Sequence, residues 1–455
     1  MNEPEKRLLL EILGRVERVE IKGVSIDSRN IREGELFVAI KGDRFDGHDF
    51  VPEAIKKGAW GALVERSALE NKFSSLGGLK NILPVEDTLY ALQEMSYMHR
   101  RKFAIPVVGI TGSNGKTTTK EMLACILKQK GPVLKNEGNL NNHIGVPLTL
   151  LKLNESHWAA VVEMGMSAPG EIATLARLTA PTVGVITNIG PAHLEFFGSM
   201  EKVAEAKGEL LDNLKPDATA VLNADDRHLG ILQSKMPGRV MTFGIVNKAD
   251  VAAIDVRQEK EFTDLTLAAE GAKIDIRLHA VGAHNVYNAL AAAAAAIAVG
   301  MPIDAVKSGL DAFTPIAGRS EIKKLEGRTV LADYYNANPA SMEAAIKTLV
   351  ELGSGGNAIA VLGDMLELGE ASIEAHREIG RTAAQCKVDF LITVGDLAAH
   401  METGALKAGM AKERVIRATS HANAAELLKK LSRPGDAILI KGSRGMKMEK
   451  ILEAF

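Results

Sequence analysis

The sequence predicts an α/β protein of three domains, and three observations carry that expectation. The chain has 455 residues, too many for one ordinary core. From about residue 105 short apolar segments alternate with helix-like ones, the pattern of a mostly parallel sheet covered on both faces. The alternation stops near Phe313-Thr-Pro315 and then restarts. We therefore expect a smaller N-terminal α/β domain (1–102), a central P-loop-type domain with a mostly parallel sheet (103–314) and a C-terminal Rossmann-like domain (315–455).

In the first stretch, Val24-Ser-Ile-Asp27 and Glu35-Leu-Phe-Val-Ala-Ile40 read as short strands, and 50–58 as a helix ending in glycine. A helix over 88–101 has a basic end before the chain changes character at Ile105-Pro106. In the central stretch strands are expected at 106–110, 159–163, 183–187 and 218–222. Alternating strands over 250–280 suggest a small antiparallel addition, and an alanine-rich helix over 289–299 closes the unit. In the last stretch strands are expected at 328–332, 358–362, 390–394 and 437–440, with helices between them.

Composition narrows the function classes. Hydrophobic residues at 46% and charged residues at 25% are those of a globular protein. A formal net charge of -2 and only 4% aromatics give no case for a nucleic-acid partner. No apolar run is long enough to span a bilayer, so no membrane insertion is expected. Cys125 and Cys386 lie in apolar, helix-like contexts and read as buried, reduced thiols. With no small-residue cleavage site after the N-terminal residues, the expectation is a cytoplasmic protein, by default a monomer.

The segment Val108-Gly-Ile-Thr-Gly-Ser-Asn-Gly-Lys-Thr-Thr-Thr119 joins an apolar strand to an amphipathic helix. The strict phosphate-loop pattern wants glycine six residues before Lys116, where Ile110 stands. The physics holds nonetheless: Gly112, Ser113, Asn114 and Gly115 let the backbone approach an anion, and amides at the helix start face it. Lys116 would neutralise the outer phosphates, Thr117 would offer a hydroxyl to magnesium, and Thr118 continues the first turn. A plain strand-turn-helix connection is the alternative.

Other residues gather around the same logic. Glu163 ends an apolar strand where ligands bind in parallel sheets, and His193 follows Thr187-Asn-Ile-Gly-Pro-Ala192 beyond another. Both read as candidate metal ligands or as ordinary loop residues. In the expected helix 201–214, Lys207 lies four after Val203 and three before Leu210, on the apolar face. A lysine there either snorkels to solvent or is functional, and carbamylation would turn it into a carboxylate. Asn141 and Asn142 sit in an amide-rich loop, suited to substrate contact or to turn formation. Asn285 and Asn288 open the alanine-rich helix, suited to an adenine edge or to capping. Arg319 and Asp333 open the last domain, where a phosphoryl-stabilising arginine and a ribose-binding carboxylate fit as well as surface pairs or turn formers.

Taken together these segments resemble the Mur ligase family, the ATP-dependent amide ligases of peptidoglycan precursor synthesis, over essentially the whole chain. The resemblance implies ATP, with two magnesium ions near Thr117, Glu163, His193 and a carbamylated Lys207, and adenine near Asn285 and Asn288. Asp333-Tyr-Tyr-Asn-Ala-Asn-Pro339, Val361-Leu-Gly-Asp-Met-Leu-Glu-Leu-Gly369 and Lys441-Gly-Ser-Arg-Gly-Met-Lys-Met448 imply UDP-N-acetylmuramoyl-tripeptide and D-alanyl-D-alanine as small-molecule substrates. Ser28, Arg29, Asp46, Gly47 and His48 would face the uridine nucleotide, and Asn336, Asn338 and Arg444 the dipeptide. Tyr334 stands where that pattern has serine, a departure that bears on fine specificity. The member adding the third stem-peptide residue is the rival within the family, and a nucleotide-dependent switch ATPase the rival outside it.

Overall fold

The computed structural model describes residues 3–18, 20–72, 81–191, 197–236, 238–353 and 355–455. It is a mixed α/β structure with three sheets, as the sequence implies. The chain divides into two compact units, residues 1–109 with 131–166 and 170–182, and residues 110–130 with 167–169 and 183–455.

The first sheet holds β1 (Gly23–Ser25), β2 (Glu35–Val38), β3 (Gly61–Glu65) and β4 (Ile82–Val85) in sequential order, all parallel. The expected helix over 50–58 is Val51–Lys56, and the helix before the change of character is Thr88–Arg100.

The second sheet comprises β5 (Val107–Thr111), β6 (Val133–Lys135), β7 (Ala159–Glu163), β8 (Val183–Ile186), β9 (Thr219–Asn223), β10 (Arg239–Gly244), β11 (Val251–Gln258), β12 (Thr263–Ala269) and β13 (Ala272–Leu278). Its order is β13-β12-β11-β10-β9-β8-β5-β7-β6. Strands β5, β7 and β9 are buried at every residue, as strands covered on both faces must be. Burial in β12 instead alternates residue by residue, and β11, β12 and β13 pair antiparallel, the expected addition. The helix Ala283–Ala298 carries a run of alanines from Ala291 to Ala296, each at most 1% exposed, side chains small enough for close approach of neighbouring elements.

The third sheet holds β14 (Glu321–Leu325), β15 (Arg328–Ala332), β16 (Ala358–Gly363), β17 (Phe390–Val394), β18 (Val415–Ala418) and β19 (Ala437–Lys441) in the order β14-β15-β19-β16-β17-β18. Only β14 runs antiparallel to its neighbour. Its sequence, Glu-Ile-Lys-Lys-Leu, has the charges of a protected edge strand, and they hide it from a search for apolar runs. Because β19 lies between β15 and β16, the loop leaving β15 and the last residue of β19 meet at one sheet end. Cys125 and Cys386 are free thiols, but each is partly exposed, a correction to the buried reading. No described helix is long and apolar enough to cross a membrane.

One buried cation fixes the chain as it enters β5. Arg100 is 6% exposed, and its guanidinium donates to Thr179 O (2.9 Å), Ala180 O (3.3 Å) and Phe103 O (2.7 Å). Thr179 and Ala180 close the helix Glu171–Thr179, whose last carbonyls lack partners within the helix and favour a cation. Arg100→Met should leave these carbonyls without a donor and cost roughly 2–3 kcal/mol. The check is a fall in the urea midpoint, with Arg100→Lys recovering only part of it. An unchanged midpoint for Arg100→Met would contradict this account.

Candidate functional site

The glycine loop follows β5 and opens the helix Lys116–Leu127. Its backbone is held by the chain leaving β8. Ser113 N donates to Asn188 O (3.0 Å) and Asn114 N to Asn188 Oδ1 (3.1 Å). Asn114 O accepts from Thr187 Oγ1 (2.6 Å) and Asn188 Nδ2 (3.2 Å), and the Ser113 hydroxyl bridges Gly190 O and N at 2.9 and 2.8 Å. Side chains are excluded here. A Cβ at Gly112 (φ +144°) would lie 1.9 Å from Thr187 Oγ1, and one at Gly115 (φ +81°) 2.1 Å from Asn288 Oδ1.

Lys116 Nζ donates to Gly112 O (2.7 Å) and Ser113 O (3.2 Å), so the ammonium curls over the loop's own carbonyls. Thr117 is 7% exposed in the first helical turn, where amides lack intrahelical partners. Asn288 accepts from Thr119 (3.4 Å) and donates to Asn285 Oδ1 (3.1 Å), and Asn285 Nδ2 reaches Val281 O (2.8 Å). The two expected adenine residues thus support the start of the helix that follows the loop.

Lys207 lies in the helix Met200–Asp212, capped by Ser199, and is 2% exposed. Burial drives its pKa well below the usual amine value, and the positive charge of Lys116 acts in the same direction. No described residue forms a hydrogen bond or ion pair with its amine. The loop after β8 is pinned from β9: Ile189 N donates to Asp226 Oδ2 (2.6 Å), while Asp226 Oδ1 accepts from His228 N (2.9 Å). His193 lies outside the described residues.

In the first unit Glu163 ends β7 at 2% exposure. Its Oε1 accepts from Asn141 Nδ2 (2.8 Å), and the buried Asn136 bonds its backbone on both sides, at 2.9 and 3.0 Å. Asn142 caps the turn before the helix Gly145–Leu150 through Ile144 N and Gly145 N. His48 is 1% exposed: Nε2 accepts from Glu65 N (2.9 Å), so Nδ1 carries the proton toward Asp46 Oδ1 (2.6 Å). It shapes the turn containing Gly47 from inside. The Arg29 guanidinium holds the Asp27 carboxyl down to about 2, while the Ser28 hydroxyl donates to Glu53 (3.3 Å).

At the carboxyl end of the third sheet, Asp333 accepts from Ser320 N (3.0 Å) and pairs with Lys441. Burial is the largest single influence on the Asp333 pKa and pushes it up, but the charge and hydrogen bond of Lys441, the nearby His284 and the Ser320 amide together bring the net direction down. Lys441, 2% exposed, also donates to Asn336 O (3.0 Å). The Arg319 guanidinium lies 3.9 Å from the Tyr335 ring centroid and that of Arg444 5.8 Å from it. Arg444 also pairs with Glu449 (3.0 Å), while the Asn336 side chain accepts from Ala337 N (2.9 Å).

The chain matches family models described as Mur ligase family, catalytic domain (residues 20–100), Mur ligase middle domain (110–296) and Mur ligase, glutamate ligase domain (318–444). The UDP-N-acetylmuramoyl-tripeptide–D-alanyl-D-alanine ligase of Bacillus subtilis is 40% identical over 439 residues, 96% of this chain and 93% of that protein. The chain belongs to the Mur ligase family. A crystal structure of MurF from Acinetobacter baumannii aligns with a TM-score of 0.86 at 33% identity, over 95% of this chain and 93% of that one. MurF ligase from Thermotoga maritima, solved in complex with ADP, aligns with a TM-score of 0.84 at 31% identity, over 96% and 97%.

Sequence reasoning gave no role to Asn136, Asp226 and Lys441, which in this Mur ligase brace Glu163, the chain after β8 and Asp333 respectively. Only Lys441 left a signal, a lysine closing the otherwise apolar Ala437–Lys441. Lys207 gives a pH-dependent prediction. The unfolded chain protonates this lysine below a pKa of about 10.4. The folded protein does so only at much lower pH. Between the two values the unfolded state binds more protons, so this lysine destabilises the fold less as pH rises. Lys207→Met should therefore be more stable than wild type at pH 7, by a margin that shrinks at pH 9. Urea midpoints in carbon-dioxide-free buffer check it; a margin constant or growing with pH would refute it.

Proposed function

We propose that this chain is an ATP-dependent, ADP-forming ligase that joins D-alanyl-D-alanine to UDP-N-acetylmuramoyl-tripeptide. The observation that carries the reading is the pairing of a clamped glycine loop bearing Lys116 with the buried Lys207, in a chain that resembles such ligases along nearly its whole length. The division of labour follows the sequence: 1–102 for the uridine nucleotide, with Ser28, Arg29, Asp46, Gly47 and His48; 103–314 for ATP; and 315–455 for the dipeptide.

ATP lies with its phosphates on residues 112–118 and its adenine toward Asn285 and Asn288, while Asp333 takes the ribose. Lys116 leaves the carbonyls of Gly112 and Ser113 for the γ-phosphate, an exchange that needs only side-chain rotation. The terminal carboxylate of the tripeptide attacks the γ-phosphorus, and the bond to ADP breaks. Arg319 stabilises the charge on the transferring group. The amine of D-alanyl-D-alanine then attacks the acyl phosphate carbon, a tetrahedral centre collapses, and phosphate leaves with the carbonyl restored. Arg444 and Asn336 hold the dipeptide.

Magnesium would suit the types of donor proposed for it. The proposed donors are the Thr117 hydroxyl, Glu163, His193 and Lys207 as carbamate. Among the described residues no three His, Cys, Asp or Glu side chains gather as a metal cage. Magnesium seldom needs one, since it takes a few protein oxygens together with substrate phosphates. When bound it would neutralise charge on the phosphate oxygens. A protonated Lys207 would repel it, whereas the neutral amine that burial favours attacks carbon dioxide, forms an N–C bond, releases a proton and becomes a carboxylate.

The test is the mass of the product from ATP, the UDP-linked tripeptide and D-alanyl-D-alanine, with tripeptides ending in lysine or diaminopimelate run in parallel. Addition to a UDP-linked dipeptide would instead identify the ligase of the third residue, and ATP hydrolysis without acceptor a switch. Lys116→Ala should lower kcat about a hundredfold or more. Lys207→Ala should be inactive and partly rescued by short carboxylic acids; no rescue, with no carbamate mass on wild type, would remove the carbamate.

A further inference from the structure

Two sets of contacts, each complete without the other, converge on one hydrogen bond. The first fixes the loop between β15 and the helix Pro339–Leu352. Lys441 ties its start through the Asp333 carboxylate and its middle through Asn336 O. Asn338 ends it as a helix cap: its Oδ1 accepts from Ser341 N (2.9 Å) and its own N–H donates to Ser341 Oγ (3.0 Å). Commitment of Oδ1 to the cap also settles which way the amide faces, because a flip would turn Nδ2 toward a backbone N–H. The second set fixes the glycine loop, where the Asn114 backbone is clamped by Thr187 and Asn188.

Between them, Asn338 Nδ2 donates to Asn114 Oδ1 at 2.7 Å, across 224 positions of sequence. Neither amide is needed where the other's network ends. Of the Asn338 side chain the helix cap uses only Oδ1, and the loop clamp uses only the backbone of Asn114. The bond therefore does something besides support its two ends.

We infer that the Asn114–Asn338 bond is a positioning contact that sets the phosphate loop in register with the part of the chain that holds the incoming amine. The inference rests on the function proposed above. It assigns Asn338 to alignment of the two half-reactions rather than to the dipeptide itself. Aligning an acyl phosphate with its nucleophile acts on turnover and on use of the acceptor, because a displacement of about 1 Å can cost about a hundredfold in rate. It leaves affinity for ATP alone nearly untouched.

A double-mutant cycle separates this from two independent ligand contacts. Asn338→Ser keeps a good N-cap but is too short to reach Asn114. Asn114→Ala leaves the backbone clamp in place. With UDP-N-acetylmuramoyl-tripeptide, ATP and varied D-alanyl-D-alanine, each single variant should lose about ten- to a hundredfold in kcat/KM for the dipeptide. The double variant should fall no lower than the poorer single one, since both remove the same bond. Calorimetric affinity for adenylyl imidodiphosphate should stay within about twofold, and Asn338→Ser should keep its melting temperature. Losses that multiply in the double variant, full kcat/KM in either single variant, or losses matched by weaker nucleotide binding would overturn the inference while leaving the ligase reading intact. A wild-type enzyme that joins no dipeptide in the same assay would overturn both.

Discussion

A loop that binds phosphate through its backbone has to leave that backbone bare and yet keep it still. Here the second requirement is met by the neighbouring strand's exit rather than by the loop itself. Thr187, Asn188 and Gly190 satisfy the carbonyl of Asn114, the amides of Ser113 and Asn114, and the Ser113 hydroxyl. Since a buried polar group without a partner costs about 1–3 kcal/mol, this arrangement fixes the loop more firmly than glycine-rich chain would fix itself. The same closeness leaves no space for a Cβ at Gly112 or Gly115. The loop's composition therefore follows from what packs against it as well as from what it binds. Asp226, one strand further on, carries the restraint outward by holding Ile189.

The two lysines of this region occupy opposite energetic positions. Lys116 is partly exposed and rests on two carbonyls, a resting place it can leave at little cost when a phosphate offers a full negative charge. Lys207 is enclosed, and both burial and its like-charged neighbour oppose a proton on it. A buried amine of this kind weakens the fold, so its presence on an otherwise apolar helix face is best understood through chemistry open only to the unprotonated form.

Much of the fold was legible because its information is local. Fully apolar strand runs and the restart after Phe313 mark parallel sheets, and Arg328–Ala332 and Phe390–Val394 coincide with their expected bounds. The charged edge strand Glu321–Leu325 was not legible, because a strand paired on one side need not be apolar. The inward face of Lys207 could be read from the spacing of Val203 and Leu210. Neighbours set by sheet order could not. Asn136 is far in sequence from Glu163, as is Lys441 from Asp333, and no periodicity connects them. His48 shows the converse: the motif around it stands out in sequence, yet both of its ring nitrogens face inward.

The last domain shows why such distant pairs matter. Asp333 is the carboxylate that sequence alone marks for a ligand, but in the fold it is first a partner of Lys441 and of Ser320 N. A carboxylate held this way keeps its charge despite burial and stays in one rotamer. The same lysine reaches Asn336 O, so one cation orders the acidic end and the middle of a single loop. Tyr335 lies within that loop and sets the Arg319 guanidinium against its ring. Arg319 therefore inherits its position in part from Lys441, which orders the loop that carries Tyr335. Order in this region runs from the Lys441–Asp333 ion pair, through a short loop, to the Arg319 guanidinium.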